Sequence, residues 1–579
     1  MNILGIFHSY SDPSAALMID DKVVSFVEEE RLLRIKHAVG YFPSRAIEFA
    51  LKTANLTIDD IDVIVQPWDC NKYDSGEMQK VYDKINAKYP TTEEDIAYQK
   101  SHISTLSVSR QSGIILRNLR RLFGDKKFSP IVFINHHLSH ACMAYFHSGM
   151  DECLVLTIDG SGEATTTAWW HAKDGKLKLL KEIQIPHSLG WFYSAFTEYL
   201  GFRAYDGEYK VMGLAAYGER DEEIHEKLSK IIWYDGDGGF ELDPMILIRG
   251  KRSYSYYYSD NLVKFLGKSP RSKSEDISKW HINLAFEVQK KLEDIVFNMT
   301  RYWIDKTGIK KLAISGGVGL NVKMNGNLFM SEMIDDIFIH PLCADTGTPI
   351  GGGLAYLYNK GEKLKISSLS NVYYGPEYSD DEIEKILISC KLDFTKEEDI
   401  CKSVARLISE GKVVGWFQGK MEGGPRALGN RSILADPRDV ASRDKVNAVI
   451  KFREFWRPFC PSMTEEGAKR YFIKFTKAPF MIITFHATDT AKKEIPAVVH
   501  VDGTVRPQIV EKEASPLYHK LITEFENITG VPCLLNTSFN IKGEPIVCSP
   551  HDAIRTFSAT GLDALAMGNF LIVKPKSKG

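Results

Sequence analysis

The opening stretch ILGIFHSYSDPSAALMIDDKVVSFVEEE sets short apolar runs, residues 3–7, 15–19 and 23–27, between a polar SYSDPS segment and an Asp-Asp pair. Runs of about five apolar residues bounded by turn formers are strand-sized, so the pattern predicts three consecutive strands. The same pattern returns in CLVLTIDGSGEATTTAWWHAKDGKLKLL, where strand, Asp/Ser/Gly turn, strand, Asp-Gly turn and strand follow in order. Two matching meanders, each followed by helix-period segments, predict a duplicated α/β domain with a ligand cleft between its halves.

Further on, KLAISGGVGLNVKMNGNLF and HPLCADTGTPIGGGLAYLY each read as a strand, a glycine-rich turn and a helix. Glycines at a strand end let the backbone approach a phosphate or an adenosine, and the helix start that follows offers free N–H donors. The competing reading is that these glycines only make strand-to-helix turns. Neither loop has the spacing of a P-loop or a dinucleotide fingerprint.

Residues 71–127, polar and helical in pattern, and 219–280, charged and containing SYSYYYSD, interrupt this core as insertions. From residue 361 the chain turns polar and turn-rich in NKGEKLKISSLSNVYYGPEYSDDEI. The expected organisation is a first domain over 1–360, a linker over 361–376 and a second α/β domain over 377–579. The second domain's strands are expected in KVVGWFQ, FMIITF, VPCLLN and FLIVK.

Size supports this division, because 579 residues exceed the roughly 250–300 that one core accommodates. The formal charge of −2 gives no electrostatic reason to expect nucleic acid or an anionic membrane as partner. With no apolar run near the ~18–20 residues a bilayer requires, and no secretory pattern at the N-terminus, a soluble cytoplasmic protein is expected. The nine cysteines are scattered without a CxxC pair, which argues against a zinc ribbon or a redox motif.

Two constellations carry chemistry. In NHHLSHA, His136 and His140 stand four apart and share a helix face, while His137 points about 100° away. Asp159 in TIDGSGE and Asp345 in PLCADTG supply carboxylates near strand ends. Two imidazoles with two carboxylates suit iron, zinc or manganese; buried structural histidines are the alternative. The second constellation is cationic: Arg426, Arg431, Lys451, Arg453 and Arg457, which Glu422 and Glu454 neutralise only in part. Arginine forks and a lysine point charge suit phosphate or carboxylate, and Asn536, Thr537, Ser538 and Asn540 of LLNTSFNIKGEPIV could orient the same anion.

With EEERLLRIKH, HHLSHA, IDGSGE, VMGLAAYG, ISGGVGLN, GGPRALGNRS, KFREFWRPF and LNTSFNIKGEPIV in that order over nearly the full length, the chain resembles the O-carbamoyltransferase family of antibiotic and nodulation-factor biosynthesis. The resemblance implies an α/β protein with an N-terminal actin-like (ASKHA) domain, similar to the tRNA threonylcarbamoyl transferase, and a C-terminal YrdC-like domain. It implies Fe(II), or another divalent metal, on His136, His140, Asp159 and Asp345. Nucleotide would lie in the first domain against Lys210, Gly213, Gly316, Gly317, Val318, Gly319 and Asn321. ATP, with Mg, and carbamoyl phosphate would be handled in the second by Arg426, Arg431, Lys451, Arg453, Arg457, Asn536, Thr537, Ser538 and Asn540. The expected product is carbamoyl-adenylate, whose carbamoyl group passes to a hydroxyl of a small-molecule acceptor. No nucleic-acid or membrane partner is implied, and a homodimer is compatible with the reading.

Lys36 of RIKH matches a lysine at the family's transfer site. One departure stands out: the family's HDAS or HDSS turn is SDPS here, so its histidine falls on Ser11, leaving the base open among His8, Lys36 and Asp12. Two other readings compete. A fused threonylcarbamoyl-adenosine synthase acting on tRNA would call for a basic surface stripe that the overall charge does not suggest. An actin-like nucleotide-binding regulator would have no use for the cationic cluster.

Overall fold

The computed structural model describes residues 1–8, 12–248, 257–451, 454 and 456–575. The chain is α/β and divides into two compact units. One comprises Met1–Phe7, Ala15–Val23 and Leu51–Ser368; the other comprises His8–Ser14, Val24–Ala50 and Leu369–Gly579.

The two sequence meanders become two sheets of the same topology. Strands β1 (Asn2–Phe7), β2 (Ser14–Ile19), β3 (Lys22–Glu28), β4 (Val63–Gln66) and β5 (Ile131–Phe133) lie in the order β3-β2-β1-β4-β5. Strands β6 (Glu152–Gly162), β7 (Thr165–Lys173) and β8 (Lys176–Gln184) are followed by a small antiparallel pair, β9 (Ile232–Tyr234) and β10 (Phe240–Leu242). With β11 (Lys311–Ser315) and β12 (Asp336–Ile339), the second sheet runs β12-β11-β6-β7-β8. In each sheet the meander's first strand pairs in parallel with the strand that returns later: Ile3 lies opposite Val63, and Leu154 opposite Leu312. The parallel strand β4 is buried along its whole length, as a strand covered on both faces must be.

Four helices, Asn71–Asp74, Glu77–Lys88, Glu93–Thr105 and Val108–Phe123, fill the polar stretch between β4 and β5. The charged stretch after residue 219 carries the helices Glu222–Ile231 and Asp260–Leu266, while the first half of its tyrosine run, residues 253–256, lies outside the described residues. Two helices matter most for the site: His136–Phe146, which follows β5, and Thr348–Asn359, which follows β12. They approach so closely that a Cβ on Gly351 would stand 2.3 Å from the Ser139 carbonyl oxygen. Only a residue without a side chain permits that approach.

In the other unit, β13 (Thr395–Lys396), β14 (Val414–Phe417), β15 (Arg431–Ala435), β16 (Cys460–Met463), β19 (Gln508–Ile509), β20 (Cys533–Ser538), β21 (Ala564–Met567) and β22 (Phe570–Val573) form one sheet. Its order is β13-β22-β21-β14-β15-β20-β16-β19. A separate pair joins β17 (Phe485–His486) to β18 (Thr504–Val505). One sequence expectation fails here, since FMIITF is not a strand and only Phe485 enters a ladder. The run is apolar because it is buried, and Met481 at φ 55 breaks the extended backbone a strand needs.

Candidate functional site

The HxxxH spacing does what helical geometry requires. Asn135 caps the helix His136–Phe146, its side chain accepting the Leu138 N–H at 2.8 Å, so His136 and His140 occupy the first two turns on one face. Asp159 comes from β6, and Asp345 from the turn that leads into the helix Thr348–Asn359. Their four donor atoms lie within 4.8 Å of one another. His140 Nε2 is 3.1 Å from Asp159 Oδ2 and 3.8 Å from Asp345 Oδ1; His136 Nε2 is 3.6 Å and 3.5 Å from the same atoms.

The far ring nitrogens are already engaged. His136 Nδ1 meets the Pro67 carbonyl at 3.0 Å and His140 Nδ1 meets Ser315 Oγ at 2.9 Å. The Pro67 carbonyl can only accept, so His136 Nδ1 carries a proton and Nε2 is the ring atom turned toward the carboxylates. The two Nε2 atoms stand 3.1 Å apart with Asp159 Oδ2 buried among them and without a hydrogen-bond donor. A positive charge is what such a group lacks. Burial disfavours an imidazolium at His136, yet Asp345 and Asp159 outweigh it and hold this ring well above the usual imidazole range. Burial likewise opposes the charge on Asp159, but the two imidazoles pull its carboxyl well below the carboxylate range. Two nitrogens and two carboxylate oxygens around a buried anionic point fit a divalent transition metal.

Glu163, which the sequence reading passed over within IDGSGE, fastens this site. Its Oε1 accepts the His136 and Asp69 N–H groups and its Oε2 accepts from the Asn135 side chain. Burial pushes its carboxyl above the usual range. His137, by contrast, is a core histidine: its two ring nitrogens meet Thr157 Oγ1 at 2.8 Å and the Thr165 carbonyl at 3.0 Å.

The residues expected at a nucleotide lie in two places. Gly316, Gly317, Val318 and Gly319 make the turn after β11, and a Cβ on Gly317 would stand 3.1 Å from Asp159 Oδ1, so this loop reaches the metal group. Asn321 is buried and committed: it caps the helix Val322–Met330 and exchanges two hydrogen bonds with Gln289 at 2.9 Å each. Lys210 and Gly213 sit on the helix Glu208–Ala215, with Lys210 Nζ 5.6 Å from the Phe202 ring centre.

In the other unit the structure joins two motif halves that are far apart in sequence. Lys451, buried, donates to the Ser538 carbonyl and Oγ, to the Asn540 carbonyl at 3.0 Å and to Asn540 Oδ1 at 2.8 Å. Asn536 donates to the Ala427 carbonyl and to Ser462 Oγ, and its buried Oδ1 accepts no hydrogen bond among the described residues. Thr537 stands opposite Ile433 on β15 and is half-buried. Arg426 is half-buried in the loop before β15, and Arg457 Nη1 lies 3.9 Å from Glu454 Oε2. Arg453 lies outside the described residues. Arg431 is fully buried and lies 3.8 Å from the centre of the Phe417 ring. Its terminal nitrogens donate to the carbonyls of Gln418, Gly419, Asn430 and Pro376, so an anion would meet it only by displacing these bonds.

The N-terminal candidates fall in this same unit. Lys36 is exposed. His8 packs against Phe42 with ring centres 5.4 Å apart, and burial pushes its imidazole down to about 4. Asp12 meets His37 at 2.8 Å, a partner the sequence reading did not single out. Ser11 lies outside the described residues.

Known proteins bear on this arrangement. Residues 2–354 match the model of the carbamoyltransferase N-terminus and residues 405–574 that of the carbamoyltransferase C-terminus. The chain is 37% identical to nodulation protein NolNO of Sinorhizobium fredii, over 97% of this chain and 79% of that protein. It is 34% identical to an uncharacterized protein of Synechocystis, over 99% of this chain and 97% of that one. Among solved structures, full-length HypF in its phosphate- and nucleotide-bound form aligns with 11% identity and a TM-score of 0.32, covering 63% of this chain and 56% of that one. The chain therefore belongs to the carbamoyltransferase family and is a carbamoyltransferase enzyme.

Proposed function

We propose that this enzyme makes carbamoyl-adenylate from carbamoyl phosphate and ATP and passes the carbamoyl group to a hydroxyl of a small-molecule natural product or sugar in the cytoplasm. The first unit is then an actin-like transfer domain and the second a YrdC-like domain that forms the adenylate. Water displaces phosphate from carbamoyl phosphate to leave carbamate, whose oxygen attacks the α-phosphorus of ATP with pyrophosphate as leaving group. A reaction among three anions demands fixed cations, because preorganised charge costs no reorganisation when the transition state forms.

The observation that carries this reading is the meeting of Lys451 with Ser538 and Asn540, which puts a buried ammonium beside a strand end rich in polar atoms. Arg426, Arg457 and Arg453 complete the cationic set in the proposal. In the second step the acceptor oxygen attacks the carbamoyl carbon and AMP departs. A divalent iron held by His136, His140, Asp159 and Asp345 would supply Lewis-acid polarisation of a phosphate or acceptor oxygen. His136 and His140 are kept in ligand orientation by Pro67 and Ser315, and the Gly316–Gly319 turn passes close to Asp159, where a Cβ on Gly317 would fall 3.1 Å from Oδ1.

The test is carbamoyl-phosphate-dependent release of pyrophosphate from ATP. Replacing Lys451 by Met should lower it by roughly 100-fold or more, the size expected when one preorganised charge is removed. Wild-type release from that variant would mean that adenylate forms elsewhere.

A further inference from the structure

We propose that Trp191 and Tyr205 seat the acceptor beside the metal group and select a saturated, hydroxyl-bearing ring, a pyranose, as its class; the inference rests on the transfer step described above. Every residue of the arrangement lies in the first unit. Its floor is Gly160, which follows Asp159 of the metal group and donates its N–H to Asp159 Oδ1 at 2.6 Å. A Cβ on Gly160 would stand 3.4 Å from Trp191 Nε1 and 4.0 Å from Tyr205 Cε1, so both rings stand over the residue next to Asp159. Ser188 fixes the indole. Its Oγ donates to the Gly160 carbonyl at 2.7 Å and accepts the Trp191 N–H at 3.0 Å, which starts the helix Leu189–Tyr199 against β6.

Both side chains present polar atoms that the protein leaves unused. Among the described residues neither Trp191 Nε1 nor the Tyr205 hydroxyl makes a hydrogen bond, and Trp191 Nε1 is open to solvent. Tyr205 is 52% exposed, and its backbone sits in the left-handed region at φ 63, where its N–H donates to Glu208 Oε1 at 2.8 Å. A large ring held out in a strained conformation beside a reaction centre calls for a use. Desolvation of its hydroxyl, then Tyr257 and the charges of Asp159 and Asp345, push the phenol above its usual range, so it stays a donor within the field of both carboxylates.

The shape of the seat selects its occupant. The Tyr205 and Tyr257 rings meet at 86° with centres 5.0 Å apart, which makes a corner and not the parallel pair that would sandwich a flat base. A corner suits a ring with thickness. The C–H groups of a puckered sugar pack on the aromatic faces, while its hydroxyls take the indole N–H and the phenol O–H. Trp191 also packs against the apolar cluster of Tyr73, Met78, Tyr82 and Ile185, so the helices inserted between β4 and β5 back this wall.

The experiment uses the full chain without ATP, so that binding is read apart from chemistry. Saturation-transfer NMR and titration are run with methyl β-glucoside, methyl β-galactoside and methyl α-mannoside, and with adenosine as the flat alternative. At least one glycoside should receive saturation on its ring C–H protons. Trp191→Leu and Tyr205→Ala should each weaken its binding about 10-fold, as loss of an aromatic partner does. Tyr205→Phe keeps the face and loses only the hydroxyl, so it should cost about 3-fold. Tyr205→Ala carries the test if Trp191→Leu does not fold, since half of the tyrosine is exposed. No saturation on any glycoside, wild-type affinity in either folded variant, or a loss of adenosine binding as large as that of glycoside binding overturns the assignment, the last by making the corner the seat of a base. Failure of the wild-type chain to form pyrophosphate from ATP and carbamoyl phosphate, with glycoside binding intact, would instead refute the adenylate reading.

Discussion

Replacing Gly162 by Ala tests the metal centre without touching a ligand. A Cβ at this position on β6 would stand 2.3 Å from His136 Cδ2 and 2.6 Å from its Cβ and Cγ. Carbon atoms rest about 3.5–4.0 Å apart, so the imidazole must retreat by more than about 1 Å. Metal–ligand distances tolerate only about 0.2 Å. The retreat also breaks the His136 Nδ1 bond to the Pro67 carbonyl, now 3.0 Å long. Overpacking of this kind costs about 1–3 kcal/mol of stability, small enough for the chain to stay folded. Metal affinity should fall by at least the roughly 10–100-fold that loss of an orienting partner costs. The assay is titration of metal-stripped protein with Co²⁺, read by its visible absorption. Gly113→Ala is the control, because no atom lies within 4 Å of a Cβ on that helical glycine, so it should stabilise slightly and bind as wild type does. If Gly162→Ala binds Co²⁺ with wild-type affinity and spectrum, His136 is not a ligand and the four-residue centre is wrong.

Two more outcomes follow from the first unit. Glu163→Gln keeps the size of the side chain but weakens its hold on the His136 and Asp69 N–H groups, so metal affinity should drop about 10-fold with secondary structure intact by circular dichroism. His102 and His147 are each pushed down to about 4 by burial, so the folded chain resists protons that the unfolded chain takes up. Stability should be complete above about pH 6.5 and fall as pH drops toward about 4, by about 1–2 kcal/mol per ring after allowance for solvent screening. Urea midpoints that stay flat across that window would contradict the burial of these rings.

Much of the first unit could be read from residue pattern. The repeated meander appears as two sheets of one topology, and the HxxxH spacing puts His136 and His140 against Asp159 and Asp345. What escaped reading was fixed by partners distant in sequence. Pro67 and Ser315 orient the two imidazoles, and neither residue advertises that role by type or spacing. Glu163 lay within a noted motif, but its value depends on the N–H groups of Asp69 and His136 converging on it. Arg431 belongs to a cationic cluster by composition, while full burial spends most of its donors on carbonyls. In FMIITF, apolar character reported burial and not extension, since composition says nothing of the backbone turn at Met481.

The assignment of residues 24–50 to the C-terminal unit has a practical side for anyone dissecting the enzyme. Arg31 grips the Gly424 carbonyl, Glu28 accepts the Gly424 N–H, and Arg34 holds the carbonyls of Pro545 and Ile546. A fragment begun at Leu369 would lose this brace and be left with apolar and charged surface meant to be covered. The better recombinant half would be such a fragment supplied with the 24–50 segment as a separate peptide, or fused to its end, as in a split protein restored by its missing piece.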